Sequence, residues 1–127
     1  MNNSVFILQD RAIIYVNGPD AKDFLQNLIS NDVNKVTDNS SCFASLLTPQ
    51  GKFLFEFILI KHKSGFFIDC EKNQSDEIFK QLSLYKIRSK VEILNLSNEF
   101  VVSSFSYEKY MSIEGSKDIL GFTFKYR

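Results

Sequence analysis

The spacing of apolar residues predicts two amphipathic helices. Residues 21–29 place apolar side chains at i, i+3, i+4, i+7 and i+8, which form one stripe on a helix that we expect to run to about Ser30. Pro19 and Asp20 come just before this stripe, and both residue types favour a helix start. A second stripe lies in residues 78–85, and Asn73 or Ser75 is the expected N-cap.

Apolar runs separated by turn residues predict strands around these helices. A short turn at residues 9–11 divides the first two runs, and Pro49 and Gly51 form a turn in which Pro fixes φ and Gly accepts a positive φ. The expected strands are residues 5–8, 12–16, 42–47, 52–61, 66–70, 91–96, 99–105, 110–113 and 121–126. Strands and helices in this order predict an α+β chain with an antiparallel or mixed sheet and two helices.

Composition and charge narrow the classes of function. The chain has 127 residues, enough for one domain, and its 15 basic residues balance its 15 acidic residues, so we expect no strong nucleic-acid binding. No apolar run approaches the ~18 to 20 residues that span a bilayer, which predicts no membrane insertion and a cytoplasmic location. Cys42 and Cys70 lie in apolar runs and are expected to be buried, reduced thiols. With only His62, expected at an exposed hairpin tip, they form no recognised metal site.

Four segments, in order, resemble the start of the YgfZ family of folate-binding proteins. They are residues 11–26 (RAIIYVNGPDAKDFLQ), 28–33 (LISNDV), 46–52 (LLTPQGK) and 84–91 (LYKIRSKV). The related aminomethyltransferases, the glycine-cleavage T-proteins, are similar to a lesser degree. Family members are about twice as long and carry a later Lys-Gly-Cys-Tyr motif that is absent here. The resemblance implies that residues 1–127 are an N-terminal folate-binding-type region, an incomplete copy with the fold of the T-protein's N-terminal region.

The resemblance also implies a function. Complete family members bind tetrahydrofolate in a central cavity and support the assembly or repair of iron–sulfur enzymes, including tRNA-modifying ones. We therefore expect a non-catalytic folate-binding factor whose partners are iron–sulfur proteins or their assembly machinery. Two alternatives stay open: a one-carbon enzyme of the aminomethyltransferase type, and an interaction module or gene fragment that binds no folate.

Glu56 is the candidate ligand for folate. It is a lone carboxylate in the apolar run of residues 53–60, and alternation puts it on one face with Leu54 and Ile58. Resemblance to the T-protein, aligned without gaps from Gly51, places that protein's two strand aspartates at Phe55 and Glu56. This implies that Glu56 bonds the pterin, while loss of the second carboxylate speaks against aminomethyl transfer. The alternative is an ion pair with Lys52, Arg88 or another base, or an exposed edge position.

Four further residues are candidate folate contacts. Asn31 and Asp32 follow the first helix and either contact the ligand or end the helix. Phe43 aligns with a folate-stacking aromatic of the T-protein, and core packing is its alternative. Arg88, with its neighbouring cations Lys86 and Lys90, suits a folate glutamate tail, an RNA phosphate, an acidic partner or a solvated strand edge. The sequence predicts no functional role for Arg11.

Overall fold

The structure, a computed structural model, describes residues 6–104. The elements of this part of the chain follow one another as strands with two α-helices inserted. They are β1 (Phe6–Ile7), β2 (Arg11–Asn17), α1 (Ala21–Gln26), β3 (Cys42–Leu47), β4 (Phe53–His62), β5 (Gly65–Glu71), α2 (Ser75–Tyr85), β6 (Glu92–Asn95) and β7 (Ser103–Ser104), with 3₁₀ turns at Val33–Lys35 and Lys72–Gln74.

Five of the strands form one antiparallel sheet in the order β3-β4-β5-β2-β6. The expected meander of β3, β4 and β5 lies at one side of this sheet, and β2 and β6 complete it. β1 and β7 form a separate antiparallel pair. The α+β class with two helices, predicted from the sequence, is confirmed.

The core lies between one face of the sheet and the two helices. Ile14 of β2, Leu59 of β4 and Ile68 of β5 are fully buried on this face, because every second residue of a strand points to the same side. Leu25 of α1 and Leu82 of α2 are fully buried against them. Both predicted helical stripes therefore pack on the same face, and no helix of residues 6–104 covers the opposite face.

The first helix is shorter than its stripe predicts. It ends at Gln26, and the N–H groups of Leu28 and Ile29 both bond to the Leu25 carbonyl. Residues 28–30 then pair with β3: the Leu47 N–H donates to the Leu28 carbonyl at 2.9 Å, and Ile29 forms an antiparallel bridge with Leu46. Ile29 is still buried, as the stripe predicts, but it lies beyond the end of the helix and forms a bridge with β3.

The pairing of the first strands differs from the expected hairpin. β1 pairs with β7 and not with β2, while Arg11, which the sequence placed in a turn, is the first residue of β2 and lies opposite Glu71. The expected strand at residues 99–105 reduces to β7, and its residue 105 lies outside the described residues together with the expected strands 110–113 and 121–126.

Two local expectations are also corrected. Neither Asn73 nor Ser75 caps α2, because Gln74 is the N-cap and the Ser75 hydroxyl donates to the Lys72 carbonyl at 2.9 Å. His62 is half-buried at the end of β4 and stacks on Phe67, with ring centroids 4.3 Å apart. Burial and the charge of Lys63 lower the pKa of His62.

Candidate folate site

The sheet face opposite the helices carries an open depression of about 410 Å³. The alternation predicted for β4 is observed there, because Phe57 and Leu59 are packed in the core while Leu54, Glu56 and Ile58 line the depression. Most of its lining residues are apolar, but polar groups supply the larger share of its exposed surface. The lining includes Arg11, Phe43, Leu54, Glu56, Ile58 and Glu71.

Glu56 is exposed on this face and lies opposite Ser45 of β3. The expected alternatives, an ion pair with Lys52 or Arg88, are not formed in the part of the chain that the structure describes, where Arg11–Asp69 is the one ion pair. Because Glu56 is exposed, its carboxylate needs no partner from within the sheet. It is therefore available to a ligand in the depression.

Phe43 lies on the same face as Glu56. It is in β3 opposite Ile58, two residues along β4 from Glu56, so the two side chains are diagonal neighbours with Cβ atoms ~7 to 8 Å apart. The Phe43 side chain is 56% exposed, so it does not pack in the core. Phe55, which aligns with the other T-protein aspartate, packs instead against the core on the opposite face.

Asn31 and Asp32 hold the loop after α1 against β3. The Asn31 Nδ2 donates to the Phe43 carbonyl at 2.9 Å, and Asn31 Oδ1 accepts from the Asp32 N–H at 2.8 Å. Asp32 Oδ1 accepts from the Asn34 N–H at 2.9 Å and so caps the first 3₁₀ turn. The structure thus brings Asn31 to the backbone of Phe43, where it positions this residue.

Arg88 lies apart from the other four candidates. It is exposed in the turn between α2 and β6, and this turn contacts residues 18–20, beyond the end of β2. Arg11 and Glu71 mark the opposite end of β2, where the polar groups of the depression lie. The structure therefore gathers Glu56, Phe43 and Asn31 at one side of the sheet and Arg88 at another.

Arg11 and Asp69 form an ion pair that was not predicted from the sequence. The Arg11 Nε donates to Asp69 Oδ1 at 2.9 Å, and Arg11 Nη2 donates to the Asp69 carbonyl at 2.8 Å. Asp69 is only 5% exposed, and this burial raises its pKa, an effect opposed by the charge and hydrogen bond of Arg11. The available signal was a single carboxylate within the apolar run FFIDC, residues 66–70.

Cys70 is buried, as the sequence predicts, whereas Cys42 is less buried than predicted. Burial raises the pKa of the Cys70 thiol to about 12 and also raises the pKa of Cys42, which is only half-buried. Both cysteines are free. Among residues 6–104, no group of three histidine, cysteine or acidic side chains could hold a metal ion. In the same range, no helix has the length and apolar character that a bilayer crossing requires.

Comparison with known proteins identifies relatives of this fold. No protein-family model matches the chain. The "Iron-sulfur cluster assembly factor IBA57 homolog, mitochondrial" of Dictyostelium discoideum is 28% identical over 84% of the chain, and the human IBA57 protein is 32% identical over 69%. The "tRNA-modifying protein YgfZ" of Buchnera aphidicola is 28% identical over 84%. The chain spans only 32%, 28% and 34% of the lengths of these proteins, respectively.

A solved structure shows the same fold. The glycine cleavage system aminomethyltransferase T of Bartonella henselae superposes with a TM-score of 0.65 at 20% identity, over 73% of this chain and 26% of that protein. Sequence and fold agree, and both matches are partial on the side of the longer protein. The chain therefore belongs to the family that contains the IBA57 and YgfZ proteins and the aminomethyltransferases, and it corresponds to a portion of their length.

Proposed function

We propose that this chain is the folate-binding portion of a YgfZ-type factor that assists the assembly or repair of iron–sulfur proteins. The names of the IBA57 relatives support the iron–sulfur part of this proposal, and the partners expected from it are components of the assembly machinery. Because the chain spans about a third of those relatives, the activity of the whole protein is part of the proposal.

The observation that carries the folate part is the pairing of Phe43 and Glu56 on one depression. A reduced pterin has a flat conjugated portion that can stack on an exposed ring, and neighbouring N–H groups that one carboxylate can accept together. Ligand sites typically combine a mainly apolar wall with a few polar groups that set orientation. Leu54 and Ile58 supply the apolar wall between these two groups.

Asn31 and Asp32 contribute to this site through Phe43. The Asn31 amide holds the strand backbone at Phe43, and the Asp32 carboxylate holds the turn that follows. Because these two side chains hold the backbone at Phe43 and the turn after Asp32, we assign them a positioning role. The folate contact predicted for Arg88 requires the ligand to extend beyond the depression. The effect of Arg88→Ala on tetrahydrofolate binding tests this contact.

Calorimetric titration of the chain with tetrahydrofolate under anaerobic conditions tests the proposal. Loss of a charged hydrogen bond costs ~1.5 to 3 kcal/mol, so Glu56→Gln should raise Kd by ~10- to 150-fold. Phe43→Ala should raise it by about 10-fold through lost stacking. Glu92→Gln is the matched control, because Glu92 is an exposed strand glutamate at the other end of the sheet.

Each outcome of the titration has a defined consequence. Absence of heat from the unmodified chain would refute folate binding by this chain. Equal, saturable binding by the unmodified chain and Glu56→Gln would remove Glu56 from the site and leave the family assignment intact. A loss with Arg88→Ala would place Arg88 at the ligand, as the sequence predicts.

The second candidate function is aminomethyl transfer. Its support is the 28% identity to the aminomethyltransferase of Alkaliphilus oremlandii over 74% of the chain. The single carboxylate on this stretch of β4 speaks against it, because the half-buried Phe55 stands where the T-protein has its second aspartate. The test is one-carbon transfer to tetrahydrofolate from an aminomethyl donor, and we expect no product above the uncatalysed rate.

The proposal also includes a role in tRNA modification and a cytoplasmic location. The YgfZ relative of Buchnera is named for tRNA modification, whereas the IBA57 relatives are named as mitochondrial. Expression of the chain in bacteria that lack YgfZ, followed by mass spectrometry of tRNA nucleosides, tests the first. Fluorescence of a tagged chain in its own cells tests the second, and a mitochondrial signal would refute the cytoplasmic prediction.

A further inference from the structure

Two large aliphatic side chains are exposed where α2 ends. Leu84 is 56% exposed on the last turn of the helix, and Ile87 is 82% exposed in the turn that follows. Ile87 follows Leu84 by three residues and lies just beyond the C-cap of the helix, Lys86. The buried stripe of α2 does not include them, because Ile78 and Leu82 fill that role.

Cations surround this apolar pair. Arg88 and Lys90 are exposed and Lys86 is half-buried, so three positive charges lie within a segment of seven residues. The dipole of α2 favours cations at its C-terminus, which accounts for part of this pattern. The dipole does not account for the exposure of Ile87, because exposing a large apolar side chain to water is unfavourable. We refer to residues 84–90 as the 84–90 surface.

The 84–90 surface is held in place by hydrogen bonds. The Lys90 N–H donates to Asp20 Oδ2 at 2.8 Å, the Asp20 N–H donates to the Lys90 carbonyl at 3.3 Å, and the Ser89 N–H donates to the Lys86 carbonyl at 2.8 Å. Gly18 permits this contact, because a Cβ there would overlap the Lys90 carbonyl. A surface ordered before binding loses less entropy when a partner docks.

A neighbouring turn adds to the positive charge. The Ser64 hydroxyl donates to Asn17 Oδ1 at 3.0 Å, which places the β4–β5 turn and its Lys63 beside Gly18 and thus near the 84–90 surface. Two acids are close by, Glu92 of β6 and Asp20, whose carboxylate accepts from the Lys90 N–H. Four cations against these two acids leave a local excess of positive charge in a chain with no net charge.

We propose that the 84–90 surface docks an acidic segment of a separate protein. An aliphatic or aromatic side chain of that segment packs on Leu84 and Ile87, and its carboxylates pair with Arg88 and Lys90. Complementary charge around an apolar centre is the usual composition of such contacts. This surface lies at the far end of the sheet from the depression, so the proposal does not depend on folate binding.

Other occupants fit the 84–90 surface less well. Single-stranded RNA binds by stacking bases on aromatic side chains, but Tyr85, the aromatic residue of this segment, is half-buried and packs against the core. A second copy of the chain that paired the same surface with itself would bring cation against cation. Pairing it with a different surface of another copy would be heterologous and open-ended.

A random dodecapeptide display library, selected on the unmodified chain, tests this proposal. We expect enrichment of peptides in which Asp or Glu flank a large apolar residue. In fluorescence anisotropy, the best peptide should bind Ile87→Ser and Arg88→Glu at least about 10-fold more weakly. Two matched controls should retain binding: Val101→Ser, at a residue that is 75% exposed, and Lys52→Glu, an exposed cation just before β4.

Four outcomes would overturn the proposal. They are failure to enrich acidic peptides, equal loss of binding in the control variants, tighter binding of a single-stranded RNA oligonucleotide that depends on the same cations, and self-association of the chain that Ile87→Ser abolishes. Circular dichroism of every variant separates lost binding from lost folding. Because Ile87 and Arg88 are exposed, we expect all four variants to fold.

Discussion

Replacing a glycine of this fold by alanine can cost stability in two ways, by backbone strain and by steric crowding, and three glycines allow the two costs to be measured separately. Gly51 has a φ of +84° and open space around it, so Gly51→Ala introduces backbone strain alone. Gly65 has no such strain, but a Cβ there would lie 2.5 Å from the Val16 carbonyl oxygen, so Gly65→Ala introduces crowding alone. Gly18 combines the two, with a φ of +126° and a Cβ that would overlap the Lys90 carbonyl and lie 3.0 Å from Val91 Cα.

The magnitudes follow from this geometry. A non-glycine residue in the left-handed region costs ~1 to 2 kcal/mol, which is the expected destabilisation for Gly51→Ala. Crowding in a packed region costs ~1 to 3 kcal/mol, which applies to Gly65→Ala, where the Tyr15 ring is also close. For Gly18→Ala the two costs add to ~2 to 5 kcal/mol, and we expect the upper part of this range, because the opposing atoms are backbone and move only if the connection into β6 moves.

Urea unfolding followed by far-UV circular dichroism measures these differences. The free energy of unfolding comes from the midpoint and the slope m, and an unchanged m shows that the variants unfold from a comparably compact state. We expect the order of destabilisation Gly18→Ala, then Gly65→Ala, then Gly51→Ala. If Gly18→Ala were no more destabilising than Gly51→Ala, the contact between Gly18 and Lys90 would not constrain the fold.

Three further predictions concern the ionisable groups. Arg11→Met should destabilise the fold by about 2 to 3 kcal/mol in urea unfolding, because it leaves the buried Asp69 carboxylate unpaired; this is below the cost of breaking a fully buried pair, since the Arg11 side chain is 23% exposed. Asp69→Asn should cost less, because the charge that it leaves unpaired, that of Arg11, is more exposed to water than the carboxylate of Asp69. Burial raises the folded-state pKa of Asp69 above 3.8, so the stability of the unmodified chain relative to Asp69→Asn should fall as pH rises from below 3.8 through the folded-state pKa. Urea midpoints measure this difference. A rise in relative stability over this pH window would contradict a raised pKa for Asp69. At mildly alkaline pH, iodoacetamide should alkylate Cys42 before Cys70, and equal rates in peptide mass spectrometry would show that Cys70 is not buried.

Local patterns predicted most of the secondary structure and its faces. The alternation along β4 predicted that Glu56 and Phe57 lie on opposite faces of the sheet, and the structure confirms this. Successive residues of a strand point to opposite sides whichever strand they pair with. The stripe of α2 was also read correctly, since Ile78 and Leu82 are its fully buried residues. These features depend on backbone geometry that each segment carries by itself.

The errors arose where a segment's conformation depends on a distant partner. The stripe that ends at Ile29 predicted helix to about Ser30, but the helix ends at Gln26 and hydrogen bonds join residues 28–30 to β3. The expected β1–β2 hairpin is absent from the described residues because β1 pairs with β7, about a hundred residues later in the chain. Tertiary pairing overrides local propensity in both places.

The sequence by itself determined the α+β class, the two helical faces, the side of β4 on which Glu56 lies and the family to which the chain belongs. The tertiary structure alone decided which candidates meet. It joined Phe43 and Glu56 on one depression, placed Arg88 elsewhere and paired Arg11 with Asp69 across 58 residues. The physical reason is that periodicity reports which side of an element is apolar, whereas the contacts between elements follow from strand order and register.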